Sequence, residues 1–165
     1  MPKSNRQIAA QRSYVNRHSP THDGVLGDPS RIDSDGVAGE RAFAELFKIP
    51  EDEIVRDHKV AYNFRLVDGT KVDVRASRAR EANLIIDPKV LVKNDADVFV
   101  LVQLDKEGKK GRVVGWATRE KVKAAPLMKV SDLPNATRVH RLHPHQLNDI
   151  ETLMIRHVPM TKKLF

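Results

Sequence analysis

The stretch "NFRLVDGTKVDVRAS", Asn63–Ser77, carries two alternating apolar runs around Asp68-Gly69, and its pairing decides the architecture. Side chains on a strand alternate between faces, so Tyr62, Phe64 and Leu66 form one apolar set and Val72 and Val74 the other. The two sets share a side of the sheet only if Phe64 lies across from Val72 and Tyr62 across from Val74. That register closes through the three-residue loop Val67-Asp68-Gly69, a type I turn followed by glycine in the left-handed region. A two-residue loop would throw one apolar set into solvent. The register also sets Asn63 opposite Asp73 and Arg65 opposite Lys71, with Arg75 continuing the polar row.

Upstream, "DGVAGERAFAELFKIP", Asp35–Pro50, reads as an amphipathic helix with Val37, Ala44 and Phe47 on its apolar stripe and Pro50 as its stop. Glu40 falls on that stripe, where an unpaired carboxylate is costly. It is either part of a site or paired with a nearby arginine at the stripe's edge. Downstream, "ANLIID" and "ADVFVLVQL" are apolar strands, the second continuous enough to be central. "KEGKKG" is a turn, "RVVGWAT" a strand, "REKVKAAP" a short helix closed by Pro126, and "TRVHRL" a further strand. "HQLNDIETLMIRH" reads as one continuous last helix with Leu147, Ile150, Met154 and Val158 on its packed stripe. This order predicts an α/β or α+β domain, a central mixed sheet with helical cover. Residues 4–14 read as a short helix and "RHSPTHDGVLGDPSRIDSDG" as a loop. The expected division is a basic segment over 1–34, the domain over 35–158 and a tail over 159–165.

A chain of 165 residues suits one such domain. No apolar run approaches the ~20 residues needed to cross a bilayer, which excludes membrane insertion as an expectation. The N-terminus lacks a secretory apolar region and there is no cysteine, which predicts an intracellular protein. A net charge of +7 points to an acidic partner, with nucleic acid the commonest. Lys3, Arg6, Arg12 and Arg17 all precede the first acid, Asp23, so the N-terminus is suited to tracking phosphates or is simply solvated.

The residues that carry chemistry lie in the helix and hairpin. Glu40, Asn63 and Asp73 offer oxygen ligands of the kind a hard divalent ion such as Mg2+ or Mn2+ takes, and such an ion polarises a phosphodiester and activates water. A neighbouring cation, Arg75 or Lys71, would stabilise charge on phosphorus. Arg78 and Arg80, directly after the strand, and Arg65 within the polar row are candidate phosphate contacts. Gln103, ending the central strand, either contacts substrate or satisfies the strand end. Trp116 suits either base stacking or the core. His140, His143 and His145, with His157, invite a zinc reading, and His145, Asn148 and His157 a His-Asn-His nuclease. The absence of cysteine and the placing of 145–157 on one helix argue against both.

Glu40 in the first helix, a polar residue at 63 and "DVR" at 73–75 after a hairpin together resemble the PD-(D/E)XK nuclease superfamily. "GERAFAELF", "NFRLVDGTKVDVRAS", "NLII", "ADVFVLVQ" and "VVGWATREKVKAAP" are similar to small phage-encoded members, over roughly Asp35–Met154. The resemblance implies a restriction-endonuclease-like αβββαβ core and Mg2+-dependent cleavage of DNA inside a bacterial host. Enzymes that cut both strands commonly act as dimers, so the same analogy suggests a homodimer. Matched position by position, Glu40 is the helix acid, Asn63 the first acidic position, Asp73 the second and Arg75 the lysine position. Asn63 is a departure, since its amide oxygen binds a cation without charge. Arg75 is another, since a guanidinium stays protonated and binds phosphate rather than accepting a proton from water. Lys71, or less directly Lys89 or Lys93, would replace the lysine. Three readings stay open: an enzyme with altered ligands, a nuclease inactivated by exchange of aspartate for asparagine, and a natural non-catalytic relative that binds DNA. A basic phage protein that inhibits a host factor is the alternative from another class.

Overall fold

The computed structural model describes residues 29–55 and 61–158, with the side chains of 29–33 left aside. The expected helix at 4–14 and most of the expected loop at 17–36 lie outside these residues. Helix α1 spans Pro29–Phe47 and begins earlier than the sequence suggested. Its first turns contain Ser30, Asp33, Ser34, Asp35 and Gly36, which read as loop because such residues favour turns over helix interiors. Packing farther along the helix outweighs that weak preference. The helix stops before Pro50. Lys48 takes a left-handed φ of 54°, the Ile49 amide donates to the Ala44 carbonyl at 2.8 Å, and the Lys48 amide donates to that of Glu45. This is a Schellman closure made without glycine.

The hairpin has the register that its alternation requires. Strand β1, Phe64–Arg65, pairs antiparallel with β2, Lys71–Ser77, with Phe64 across from Val72 and Arg65 across from Lys71. The Leu66 amide donates to Thr70 O and the Gly69 amide to Leu66 O, both at 2.9 Å, which closes the loop at Val67-Asp68-Gly69. Gly69 has φ +90°, a conformation that glycine adopts at no steric cost.

Strand β3 is Leu84–Ile86 and helix α2 is Pro88–Lys93, capped by Asp87. Then follow β4, Val98–Leu104, β5, Gly111–Thr118, and helix α3, Arg119–Ala124. Strands β6, Leu127–Lys129, and β7, Arg138–Leu142, form a second hairpin, and helix α4 is Ile150–Met154. The main sheet is mixed, in the order β1-β2-β4-β5, with β2 and β4 parallel. The expected succession of helix, three strands, helix and strand is present along the chain. Its third strand, however, leaves the main sheet: β3 pairs with β7 in a second sheet of order β3-β7-β6. An apolar run such as Leu84-Ile85-Ile86 satisfies either sheet equally, so its composition could not choose.

Two cores result. On one face of the main sheet, Ala38, Phe43, Ala44 and Phe47 of α1 and Leu153 of α4 pack on Phe64, Val72, Val74, Val98, Val100 and Val102. On the other, Phe99, Leu101 and Ala117 meet Leu84, Ile86, Leu91, Val122 and Leu142 from the second sheet, α2 and α3. The continuous last helix is corrected: Pro144–Gln146 and Ile155–His157 are single 3-10 turns on either side of the short α4. Between them Asn148 exchanges two backbone hydrogen bonds with Trp116, so the chain runs extended beside β5. Leu153, fully buried, anchors α4 in place of the expected stripe alone. Among the described residues no helix is long and apolar enough to cross a membrane.

Candidate functional site

The apolar alternation of β2 fixes where each polar side chain goes. A Cβ built on Gly39 of α1 would lie 2.7 Å from the Ala76 Cβ and 3.6 Å from Val74 Cγ1, so α1 lies directly on the Val72-Val74-Ala76 face. Lys71, Asp73 and Arg75 therefore leave the sheet on the side away from α1, the side where Phe99 and Leu101 stand across from Asp73 and Arg75 on β4. Glu40 is 2% exposed and lies on the buried stripe of α1, as its spacing required.

Asn63 joins the two sides at the sheet edge. Its Oδ1 accepts from the Val74 amide at 2.8 Å, extending the ladder past the end of β1, and its Nδ2 donates to Glu40 Oε1 at 3.1 Å. Its backbone amide donates to Val72 O. Both ends of the carboxamide thus serve β2 and α1.

Asp73, 6% exposed, has a separate set of partners. Its Oδ2 accepts from Arg75 Nε at 3.0 Å, Arg75 Nη2 at 2.7 Å and Asn94 Nδ2 at 2.9 Å. Three donors on one carboxylate oxygen satisfy its charge and fix the Arg75 guanidinium, whose side chain is 37% exposed and carries further N–H groups. Asn94 is held in turn, its Oδ1 accepting from the Ala96 amide at 2.7 Å. Arg119, at the start of α3, gathers the same loop: its guanidinium donates to the carbonyls of Leu91, Ala96 and Asn94. Neither Asn94 nor Arg119 stood out in the sequence. The polar run "KNDAD", Lys93–Asp97, was the available signal, since such a run before a buried strand needs internal partners.

Lys71 is the third member of the row. Its ammonium is 2.9 Å from Asp95 Oδ2 and 5.6 Å from the centre of the Tyr62 ring. The hydrogen bond to Asp95 raises its pKa, which favours the cationic form. The same bond lowers the pKa of Asp95. The backbone of Lys71 is tied to Asp97, whose Oδ2 accepts from the Lys71 amide at 2.9 Å.

The other candidates have structural partners. Arg78 grips Asp35 with Nε and Nη2, at 2.8 and 2.6 Å to Oδ1, and donates to Lys106 O, fastening α1 to the β4–β5 turn. Gln103 donates to the carbonyl of Arg80 at 2.9 Å and accepts from Arg112, which is strand-end bonding. The side chains of Arg65 and Arg80 are exposed. Trp116 is in the core, its Nε1 donating to Asp149 O and Thr152 Oγ1, with Arg156 over its ring. His140 Nδ1 bonds Ala125 O and His143 Nδ1 bonds Asn83 Oδ1, while His157 Nδ1 accepts from the Val67 amide. His143 and His145 stack, with ring centres 5.5 Å apart. The histidines thus have separate duties, and among the described residues no three His, Cys, Asp or Glu side chains gather as a metal site.

Each of the three expected magnesium ligands has partners within the protein. Glu40 and Asn63 are bonded to each other on the α1 side and edge, while Asp73 faces the other core with Oδ2 already filled. The row carries two cations on one strand, Lys71 and Arg75, each ion-paired with a carboxylate and with backbones about 13 Å apart at ~3.3 Å per residue. The chain matches no known family model, no curated protein and no solved structure.

Proposed function

We propose that this protein binds DNA through the Lys71 and Arg75 side of β2, as a non-catalytic relative of PD-(D/E)XK nucleases acting inside the cell. The observation that carries the reading is the Asp73–Arg75 pair. The acid that would hold a metal in such a nuclease is here bonded to the arginine that stands in the lysine position, and Asn94 completes its shell. An arginine pre-oriented by a carboxylate loses little freedom on meeting phosphate, and its planar fork matches phosphate oxygens. The net charge of +7 favours the same partner.

A second reading, a divalent-metal deoxyribonuclease with an altered site, draws on the remaining Oδ1 of Asp73, which accepts no hydrogen bond among the described residues. One set of measurements separates the two. Fluorescence anisotropy with labelled duplex DNA should show binding that weakens steeply with salt, and Arg75→Ala should weaken it. Supercoiled plasmid incubated with Mg2+ or Mn2+ should stay intact. Cleavage by the parent chain that disappears in Asp73→Ala would establish the nuclease instead. Cleavage confined to Asn63→Asp would identify a site disabled by one amide. No binding to any DNA form at low salt would end both readings.

A further inference from the structure

The second hairpin has a feature that the fold itself does not need. Lys129 of β6 and Arg138 of β7 are register partners, directly opposite each other, and both side chains are exposed. Like charges facing across a ladder are destabilising, and neither residue forms an ion pair with a carboxylate among the described residues. An anion held between them would reverse the sign of that interaction. The hairpin also stands away from the body. From Pro126 to Arg138 every residue is exposed except the half-buried Ser131 and Ala136.

Its tip carries Leu133 and Pro134 between the polar Asp132 and Asn135, all four exposed. Val130 N donates to Thr137 O, and beyond that pair the chain turns back at Leu133-Pro134-Asn135-Ala136, closed by the Ala136 amide on Leu133 O at 3.0 Å. Proline at the second position of such a turn presets its φ. Leu133, 64% exposed, is held at the apex, and Pro134 beside it is also exposed. Asp132 is the one carboxylate between Leu127 and Leu142, against the cations Lys129, Arg138 and Arg141. A two-stranded ribbon with basic flanks and Leu133-Pro134 at its apex suits duplex DNA: the ribbon fits a groove, and small apolar wedges enter between base steps and kink the helix.

Resting on the DNA-binding reading above, we infer that the β6–β7 hairpin is a second DNA contact, an arm that bends the duplex. Lys129 and Arg138 grip one phosphate, and Leu133-Pro134 unstack a base step. This contact is independent of the Lys71 and Arg75 row and adds deformation to its simple phosphate binding.

The test uses the full chain with a short duplex carrying a donor and an acceptor dye at its two ends. Energy transfer should rise on binding of the parent chain. Leu133→Ser should bind but leave transfer close to that of free DNA. Lys129→Ala with Arg138→Ala should flatten the slope of log K against log salt by about 0.9, the share of one phosphate. All three positions are exposed, and a circular dichroism melt like the parent's would show that folding is intact. Binding by the parent chain without any change in transfer, or Leu133→Ser bending as well as the parent, overturns the arm while leaving the DNA-binding reading in place. An unchanged salt slope in the double variant also overturns the phosphate grip. Failure of the parent chain to bind DNA at low salt removes both.

Discussion

Asn94 Nδ2 donates to Asp73 Oδ2 at 2.9 Å, linking the loop after α2 to the middle of β2. The carbonyls of Leu91 in α2 and of Asn94 and Ala96 in the loop converge on the Arg119 guanidinium, which stands 6.0 Å from the centre of the Phe99 ring. The chain from Arg119 through Asn94 and Asp73 to Arg75 is a succession of polar groups, each satisfied by the next, along the edge of the second core.

Replacing Arg119 by alanine removes the donor shared by these carbonyls. Hydrogen bonds to a charged group contribute about 1.5–3 kcal/mol each, but the loop can relax toward water, so a loss of about 3 kcal/mol is expected for the set. At about 2–4 °C per kcal/mol for a chain of this size, the melting temperature should fall by roughly 6–12 °C. Arg119→Lys should recover only part of this, because an ammonium cannot reach three carbonyls in the plane of a guanidinium. A thermal melt of both variants checks the prediction, and a change within 1–2 °C for alanine (about the shift expected of an ordinary surface substitution) would show that the clamp is dispensable.

The exposed pair Lys71 and Asp95 gives a pH dependence of defined sign. The hydrogen bond between them holds Lys71 above its ordinary 10.5 and Asp95 below its ordinary 3.8. For the carboxylate, a folded value below the unfolded one means stability present above 3.8 and lost as pH falls through the lower folded value. For the amine, the contribution is present below 10.5 and is lost as pH rises through the higher folded value. Parent and Asp95→Asn melting curves should therefore differ by a constant amount across the neutral range. The difference should shrink at both extremes and in high salt, since both side chains face solvent. A difference that grows on acidification would assign the pair the wrong sign.

How much of this was legible beforehand depends on range. The first hairpin was readable because alternation, loop length and Gly69 are local and agree with one another, and the structure has Phe64 across from Val72 accordingly. The buried position of Glu40 was readable from helical spacing. The relation between the two was not drawn, although the signal existed: a helix whose apolar stripe contains Glu40 must pack on the apolar face of β2, and Asp73 is on the other. The pairing of β3 with β7 and the clamp at Arg119 join residues 54 to 58 and 23 to 28 positions apart, and no local pattern encodes which distant partner an apolar run or an arginine finds.

The close approach of Gly39 to Ala76 gives the most direct check on that face assignment. A methyl group on Gly39 would lie 2.7 Å from the Ala76 Cβ, inside any ordinary carbon contact, and neither backbone can yield without moving α1 off β2. Overpacking of this kind costs about 1–3 kcal/mol, while alanine regains roughly 1 kcal/mol of helix propensity over glycine. Gly39→Ala should thus be neutral to destabilising by about 2 kcal/mol, against the gain expected of the same change on an exposed helix. Ala76→Gly removes the opposing methyl, so the double variant should recover the propensity gain, with a favourable coupling of roughly 1–2 kcal/mol in a double-mutant cycle. Denaturant unfolding of the four chains measures that coupling. Additive single effects would mean that α1 does not lie on the Val74-Ala76 face, and the separation of Glu40 from Asp73 would fall with it.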